Sequence, residues 1–317
     1  MPSHAFDRMP LEHEFTHYVV TGNDRAAMRL VQNWLDGTCL QWPGEFRLHV
    51  EVGTHSPFEP DYRTPIEQPN VLIQTGGDAG TVRITWLSTD AIAEIHSTLP
   101  EATLWLSPAA LSRFESSQRS FLLATLVFLL RRLGWYHVHG ATLIDPRGRG
   151  WLIAGDSNCG KSTTTALLAT RGWQVGTEDI GFIVQDGDHI VSRGMSAPIA
   201  LRDGGRDLLG LPGGTPLLRT EPKTGFWPEE LGTAWAPCVR PEIIAFPRIG
   251  ERTRVERAPT LVALREVVKW SMWVLYEQAF AQEHLDVLGR LAGQSRCFNL
   301  TLGPDLFDNP DMLESMV

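Results

Sequence analysis

Along residues 26–35 the apolar positions Met28, Leu30, Val31, Trp34 and Leu35 recur at three- and four-residue spacing, which predicts a helix with one buried face. Short apolar or alternating runs at 47–52, 71–74 and 82–86 predict strands, and the cluster Gly76-Gly77-Asp78-Ala79-Gly80 predicts a turn between the last two. Residues 14–111 therefore read as short strands mixed with helices. From 116 to 133 apolar residues almost encircle a predicted helix, a pattern of burial between layers rather than of one solvated side. This helix is taken as the junction between an N-terminal α+β module, 1–115, and a second domain, 116–317.

Beyond the junction the pattern is that of an α/β protein. Strands are predicted at 137–144 and 151–154 around the turn Asp145-Pro146-Arg147-Gly148-Arg149-Gly150, then a helix at 161–171 and a strand at 173–176. A hairpin pairs 180–185 with 189–193 across Asp186-Gly187. The Gly- and Pro-rich stretch 203–236 is expected to be loop; strands are expected at 243–246 and 296–302, and helices at 260–278 and 282–292.

Composition narrows the function classes. The 317 residues are 43% hydrophobic and 21% charged, enough apolar surface for a sizeable core, so disorder is excluded. The net charge, 28 − 37 = −9, argues against a surface built to neutralise a phosphate backbone, so no nucleic-acid partner is expected. Four cysteines, Cys39, Cys159, Cys238 and Cys297, form no Cys-x-x-Cys pair, which suggests neither a zinc site nor a disulfide framework. The first residues lack a basic stretch followed by an apolar run, and the apolar run at 121–130 is about half the roughly 20 residues a bilayer requires. The expectation is a cytoplasmic protein with no membrane partner.

The chemistry concentrates after residue 150. Gly155-Asp156-Ser157-Asn158-Cys159-Gly160-Lys161-Ser162, followed by Thr163, matches Gly-x-x-x-x-Gly-Lys-Ser/Thr, the Walker A pattern of a phosphate loop (P-loop). Small residues let backbone N–H groups curl around phosphate oxygens, the lysine neutralises their charge, and the serine hydroxyl joins a Mg²⁺ shell. The apolar strand at 151–154 runs into the loop and a helical pattern runs out of it, as that role demands; the helix start adds its dipole and free N–H groups. A glycine turn that happens to carry a lysine is the alternative. Cys159 reads as a small loop residue, since no second group makes it a nucleophile.

Glu178-Asp179 follows the strand after the loop helix, where one carboxylate could hold Mg²⁺ and the other take a proton from an attacking hydroxyl. Adjacent acids also occur on ordinary solvated turns. His137 and His139 lie two apart on a predicted strand and so face the same way, with Gly140 next. Strand histidines often only fill a core; this pair could instead contact phosphate or bias the base.

His139-Gly140, the loop 155–162, Arg171-Gly172 and Glu178-Asp179, in this order and spacing, resemble HPr kinase/phosphorylase and the wider group of HPr-kinase-like bacterial serine kinases. Pro198-Ile199-Ala200-Leu201-Arg202 and Lys223-Thr224-Gly225 resemble, more weakly, the HPr-kinase-related subgroup that includes lasso-peptide kinases. The resemblance implies an α/β fold with a mixed sheet, a P-loop kinase core of the phosphoenolpyruvate carboxykinase type with the loop at one edge of the active site, ATP and Mg²⁺ as cofactors, a protein or peptide acceptor (a modified-peptide precursor or a carrier protein), and a homo-oligomer. By position, Lys161 would clamp phosphate, Ser162 and Asp179 would hold the metal, His139 would assist, and Glu178 would take the place of the catalytic aspartate. Glu178 is one methylene longer than that aspartate, so either Glu178 or Asp179 is the base. Thr163 stands where the bifunctional enzymes carry Glu, which leaves a reverse phosphorylase activity open. The expected function is ATP-dependent transfer to a Ser/Thr hydroxyl; a small-molecule kinase and an ATP-binding module without efficient transfer are the alternatives.

Eleven tryptophans are many for such a chain. Trp135, Trp151 and Trp173 are expected in the core, as are Trp270 and Trp273, three apart on a predicted helix. Trp227 and Trp235, in the Gly/Pro-rich stretch, are expected to be exposed and to grip an acceptor.

Overall fold

The computed structural model describes residues 18–38, 44–54, 65–68, 71–75, 81–86, 90–112, 114–217 and 222–317. The predicted turn Gly76–Gly80 and Cys39 lie outside these. The chain divides into two compact units, Met1–Trp135 with Leu275–Ala281, and Tyr136–Val274 with Gln282–Val317. The division falls at 135/136, so the helix taken as the junction belongs with the first unit.

In the first unit, β1 (Tyr18–Gly22), α1 (Arg25–Thr38), β2 (Phe46–Val52), β3 (Pro65–Gln68), β4 (Val71–Thr75), β5 (Val82–Trp86), β6 (Ala91–Ile95) and β7 (Glu101–Leu106) precede the helices α2 (Pro108–Ser112) and α3 (Phe114–Leu129). The strands pair in the order β1-β2-β7-β6-β5-β4-β3. The pairings β1–β2 and β2–β7 are parallel and the others antiparallel. Asp24 caps α1 by accepting the Ala27 amide at 2.8 Å, and the predicted face Met28, Val31 and Leu35 is buried. Helix α3 packs on β5–β7 and buries Phe121, Leu122, Leu126, Val127 and Phe128, in keeping with an apolar pattern that encircles the helix. After it, a short 3₁₀ turn carries Arg131 and Arg132, whose guanidiniums lie 3.4 and 2.8 Å from the buried Glu277 carboxylate. That pairing satisfies a charge that burial would otherwise make costly.

The second unit contains β8 (Tyr136–Ile144), β9 (Gly150–Ala154), α4 (Lys161–Ala169), β10 (Gln174–Thr177), β11 (Ile180–Asp186), β12 (His189–Gly194), β13 (Ile199–Leu201), α5 (Asp203–Leu209), β14 (Thr215–Leu217), β15 (Lys223–Phe226), β16 (Pro241–Ile249), β17 (Arg254–Arg257), α6 (Thr260–Trp270), β18 (Arg296–Leu302), α8 (Asp305–Asp308) and α9 (Met312–Met316). Helix α7 (Gln278–Gln294) contributes its part from Gln282 onward. The main sheet runs β12-β11-β8-β9-β16-β18-β17, with β10 also on β8. It is mixed: β9, β16 and β18 are mutually parallel, while β8, β10, β11, β12 and β17 pair antiparallel. Its core holds Ala141, Leu143, Trp151, Ile153, Leu167, Trp173, Val175, Ile243 and Leu300.

Two expectations need correction. Residues 203–236 are not simply loop: α5, β14 and β15 form there, and β13, β15 and β14 pair into a small antiparallel sheet. Glycine and proline content signalled turns but not the pairing partner, which comes from elsewhere in the chain. The helix expected over 260–278 ends at Trp270, where the chain passes into a 3₁₀ turn, Met272–Leu275. Among the described residues, no helix is long and apolar enough to cross a membrane.

Candidate active site

The glycine-rich loop begins where β9 ends. Because β9, β16 and β18 are parallel, their C-terminal ends meet on one edge, and in open α/β sheets that edge forms the ligand crevice. A Cβ on Gly155 would lie 3.0 Å from Cys159 Sγ and 3.2 Å from Pro247 Cδ; one on Gly160 would lie 2.8 Å from Leu302 Cδ1. Asn158 (φ 67°) and Gly160 (φ 97°) both adopt the left-handed region, so the chain doubles back and enters α4 at Lys161 with its first amides unspent on helix carbonyls. The buried Lys161 ammonium donates to the carbonyls of Gly155 (2.7 Å) and Asp156 (2.8 Å), which fixes a positive charge beneath the loop. Burial pushes the Cys159 thiol up, so it stays protonated and fills space, as expected.

The acidic pair sits at an interruption between two strands that run along the same edge of β8. Strand β10 pairs Thr177 with Thr142, and β11 resumes with Ile180 opposite His139. Between them the Gly140 amide donates to the Asp179 carbonyl at 3.1 Å. The two carboxylates then go to different partners. Buried Glu178 accepts the Ser162 hydroxyl at the start of α4. Asp179, more open to solvent, has Oδ1 3.1 Å from His139 Nδ1. Burial lowers the His139 pKa, with Lys161 adding to the effect against the opposing pull of Asp179 and Asp156. The imidazole is therefore neutral near pH 7, and the contact is a close approach of the ring to a carboxylate rather than an ion pair.

Strand alternation puts His137 and His139 on the face of β8 that buries Ala141 and Leu143. Burial, and secondarily His139, hold the His137 pKa down at about 3. Its Nδ1 has no hydrogen-bond partner. Two indoles that sequence reasoning assigned to the core border this pair: Trp270 lies 6.4 Å from the His139 ring and Trp273 6.4 Å from the His137 ring. Three residues on a helix rise about 4.5 Å, or about 6 Å in a 3₁₀ turn, close to the roughly 6.6 Å of two residues on a strand. The Trp-x-x-Trp and His-x-His spacings, compared with each other, carried that signal.

Of the other sequence candidates, Thr163 faces Gly205 at the start of α5: a Cβ on Gly205 would lie 2.9 Å from the threonine Oγ1. The weaker motif segments come together as strands, Leu201 of β13 opposite Thr224 of β15, with β13 packed on α4. Trp151 and Trp173 pack with their rings tilted, centroids 5.1 Å apart, in the core as expected. Trp227 is exposed as expected, whereas Trp235 is half-buried against the core, edge-on to Trp227 at 6.4 Å.

No protein-family profile matches the chain, and no curated protein matches it in sequence. Among solved structures, the Hpr(Ser) kinase/phosphatase from Coxiella burnetii is similar over 57% of this chain and 92% of its own, with 12% identity and a TM-score of 0.29.

Proposed function

We propose that this protein is an ATP- and Mg²⁺-dependent kinase that transfers the γ-phosphate to a serine or threonine hydroxyl of a small protein or peptide. The observation that carries this reading is the split of the acidic pair: Glu178 on Ser162 at the loop helix, Asp179 on His139. Phosphoryl transfer needs a metal-side carboxylate and a hydroxyl-side carboxylate, and here neighbouring residues supply both.

The residues present fit a bound Mg²⁺. The Ser162 hydroxyl and the Glu178 carboxylate stand side by side as oxygen donors beside a helix N-terminus. Among the described residues no three His, Cys, Asp or Glu side chains cluster as a metal cage. Mg²⁺ typically uses one or two carboxylates and takes further ligands from substrate phosphates. Bound there, it would neutralise charge on the phosphate oxygens.

In this mechanism the loop amides and Lys161 hold the β- and γ-phosphates, with Lys161 moving from the carbonyls of Gly155 and Asp156 onto phosphate oxygen. Glu178 keeps the Ser162 hydroxyl oriented. Asp179, with Oδ1 3.1 Å from His139 Nδ1, accepts the proton of the attacking hydroxyl, and the neutral imidazole adds no positive charge that would weaken it as a base. Electrostatic stabilisation by the loop supplies most of the acceleration.

Incubation of the purified protein with γ-labelled ATP, Mg²⁺ and cell extract tests the reading. Label on a protein or peptide, lost in Lys161→Ala, supports it. Label confined to a small metabolite moves the assignment to a small-molecule kinase, and tight ATP binding without transfer moves it to a binding module.

A further inference from the structure

From the aromatic border of the site we infer that Trp270 is the acceptor-side wall and selects a hydroxyl carried beside a neutral planar group, such as a serine flanked by an aromatic residue. This inference rests on the kinase reading above. The loop, Lys161 and the Ser162–Glu178 pair occupy the nucleotide side, so an acceptor hydroxyl must reach Asp179 from the His139 side to come within hydrogen-bond distance of its base. Trp270 borders that side, 6.4 Å from the His139 ring.

A purely space-filling indole would be sealed in the core, as Trp151 and Trp173 are at 1% exposure each. Trp270 is only half-buried, at the end of α6. The Lys269 ammonium already sits 4.5 Å from its ring centroid. That cation uses the attraction of the indole quadrupole and would repel a second cation on the same ring, so the surface still open favours a neutral aromatic ring or a peptide plane. Trp273 lies three residues on, against His137.

Two capped pentapeptides serve as probes, Gly-Gly-Ser-Gly-Gly and Gly-Phe-Ser-Phe-Gly, with kcat/KM measured for wild type, Trp270→Ala and Trp270→Phe. One aromatic contact predicts a preference of about tenfold for the phenylalanine peptide in the wild type. The preference should persist in Trp270→Phe and vanish in Trp270→Ala through a rise in peptide KM, with the KM for ATP unchanged. Equal efficiency for the two peptides in the wild type overturns the inference, as does a preference that survives Trp270→Ala. ATP binding with no transfer to either peptide overturns it while leaving the nucleotide site standing; failure to bind ATP overturns the kinase reading itself. The wild-type comparison decides even if Trp270→Ala does not fold.

Discussion

His139 Nδ1 lies 3.1 Å from Asp179 Oδ1, and the backbone repeats the link, since the Gly140 amide donates to the Asp179 carbonyl at 3.1 Å. Asp179 thus meets consecutive residues of β8, hydrogen-bonded at its main chain and in close contact at its side chain, while its neighbour Glu178 turns to the loop helix. A general base is effective only when its geometry is fixed before the hydroxyl arrives. From that fixation, Asp179→Asn should lower phosphoryl transfer by about 10²–10⁴-fold with ATP affinity unchanged. His139→Gln, whose amide can donate to the carboxylate, should lose less than His139→Ala. Transfer rates and ATP dissociation constants measured in parallel check both statements.

Glu178 and Ser162 form the other half of the split. Glu178→Gln is expected to raise the Mg²⁺ concentration needed for half-maximal transfer by about tenfold or more, because the carboxylate proposed to hold the metal becomes a neutral amide. A Mg²⁺ titration at saturating ATP reads this directly; an unchanged midpoint would remove Glu178 from the metal side.

Burial sets the pH response of His137. Its pKa of about 3 lies below the ordinary value of 6.5, so between these values the unfolded chain binds a proton that the folded chain refuses. Its contribution to stability is complete above pH 6.5 and is lost as the pH falls toward 3. Between pH 7 and pH 5 that amounts to about 2 kcal/mol. His137→Phe should therefore lose about 2 kcal/mol less than wild type over that interval, measured by urea denaturation at the two pH values.

Gly140 has no room for a side chain. A Cβ there would lie 2.8 Å from the Ile153 carbonyl oxygen and 3.0 Å from Leu152 Cδ1, so Gly140→Ala must push β8 away from β9 beside the acidic pair. A cost of about 1–3 kcal/mol is expected, with a loss of transfer larger than the stability change alone would cause at room temperature. Thermal melting and transfer rates on the same preparation separate the two effects.

Local pattern in the sequence determined much of this protein. The helix over α1, the strands β5, β8, β9 and β18, the β11–β12 hairpin and the turn into α4 follow from hydrophobic period and turn chemistry, which act over a few residues. The sequence likewise made Gly155–Ser162, His139, Glu178 and Asp179 the candidates, because the Gly-x-x-x-x-Gly-Lys-Ser spacing is itself a local constraint. Tertiary structure alone decided which carboxylate meets which partner. Adjacent residues on an extended chain point opposite ways, and only the return of the chain along β8 puts Ser162 beside one and His139 beside the other. It also decided that Thr224 pairs with Leu201 and that Trp270 and Trp273 border the two histidines. These contacts join positions far apart in sequence, and their energy depends on packing that no window of consecutive residues contains.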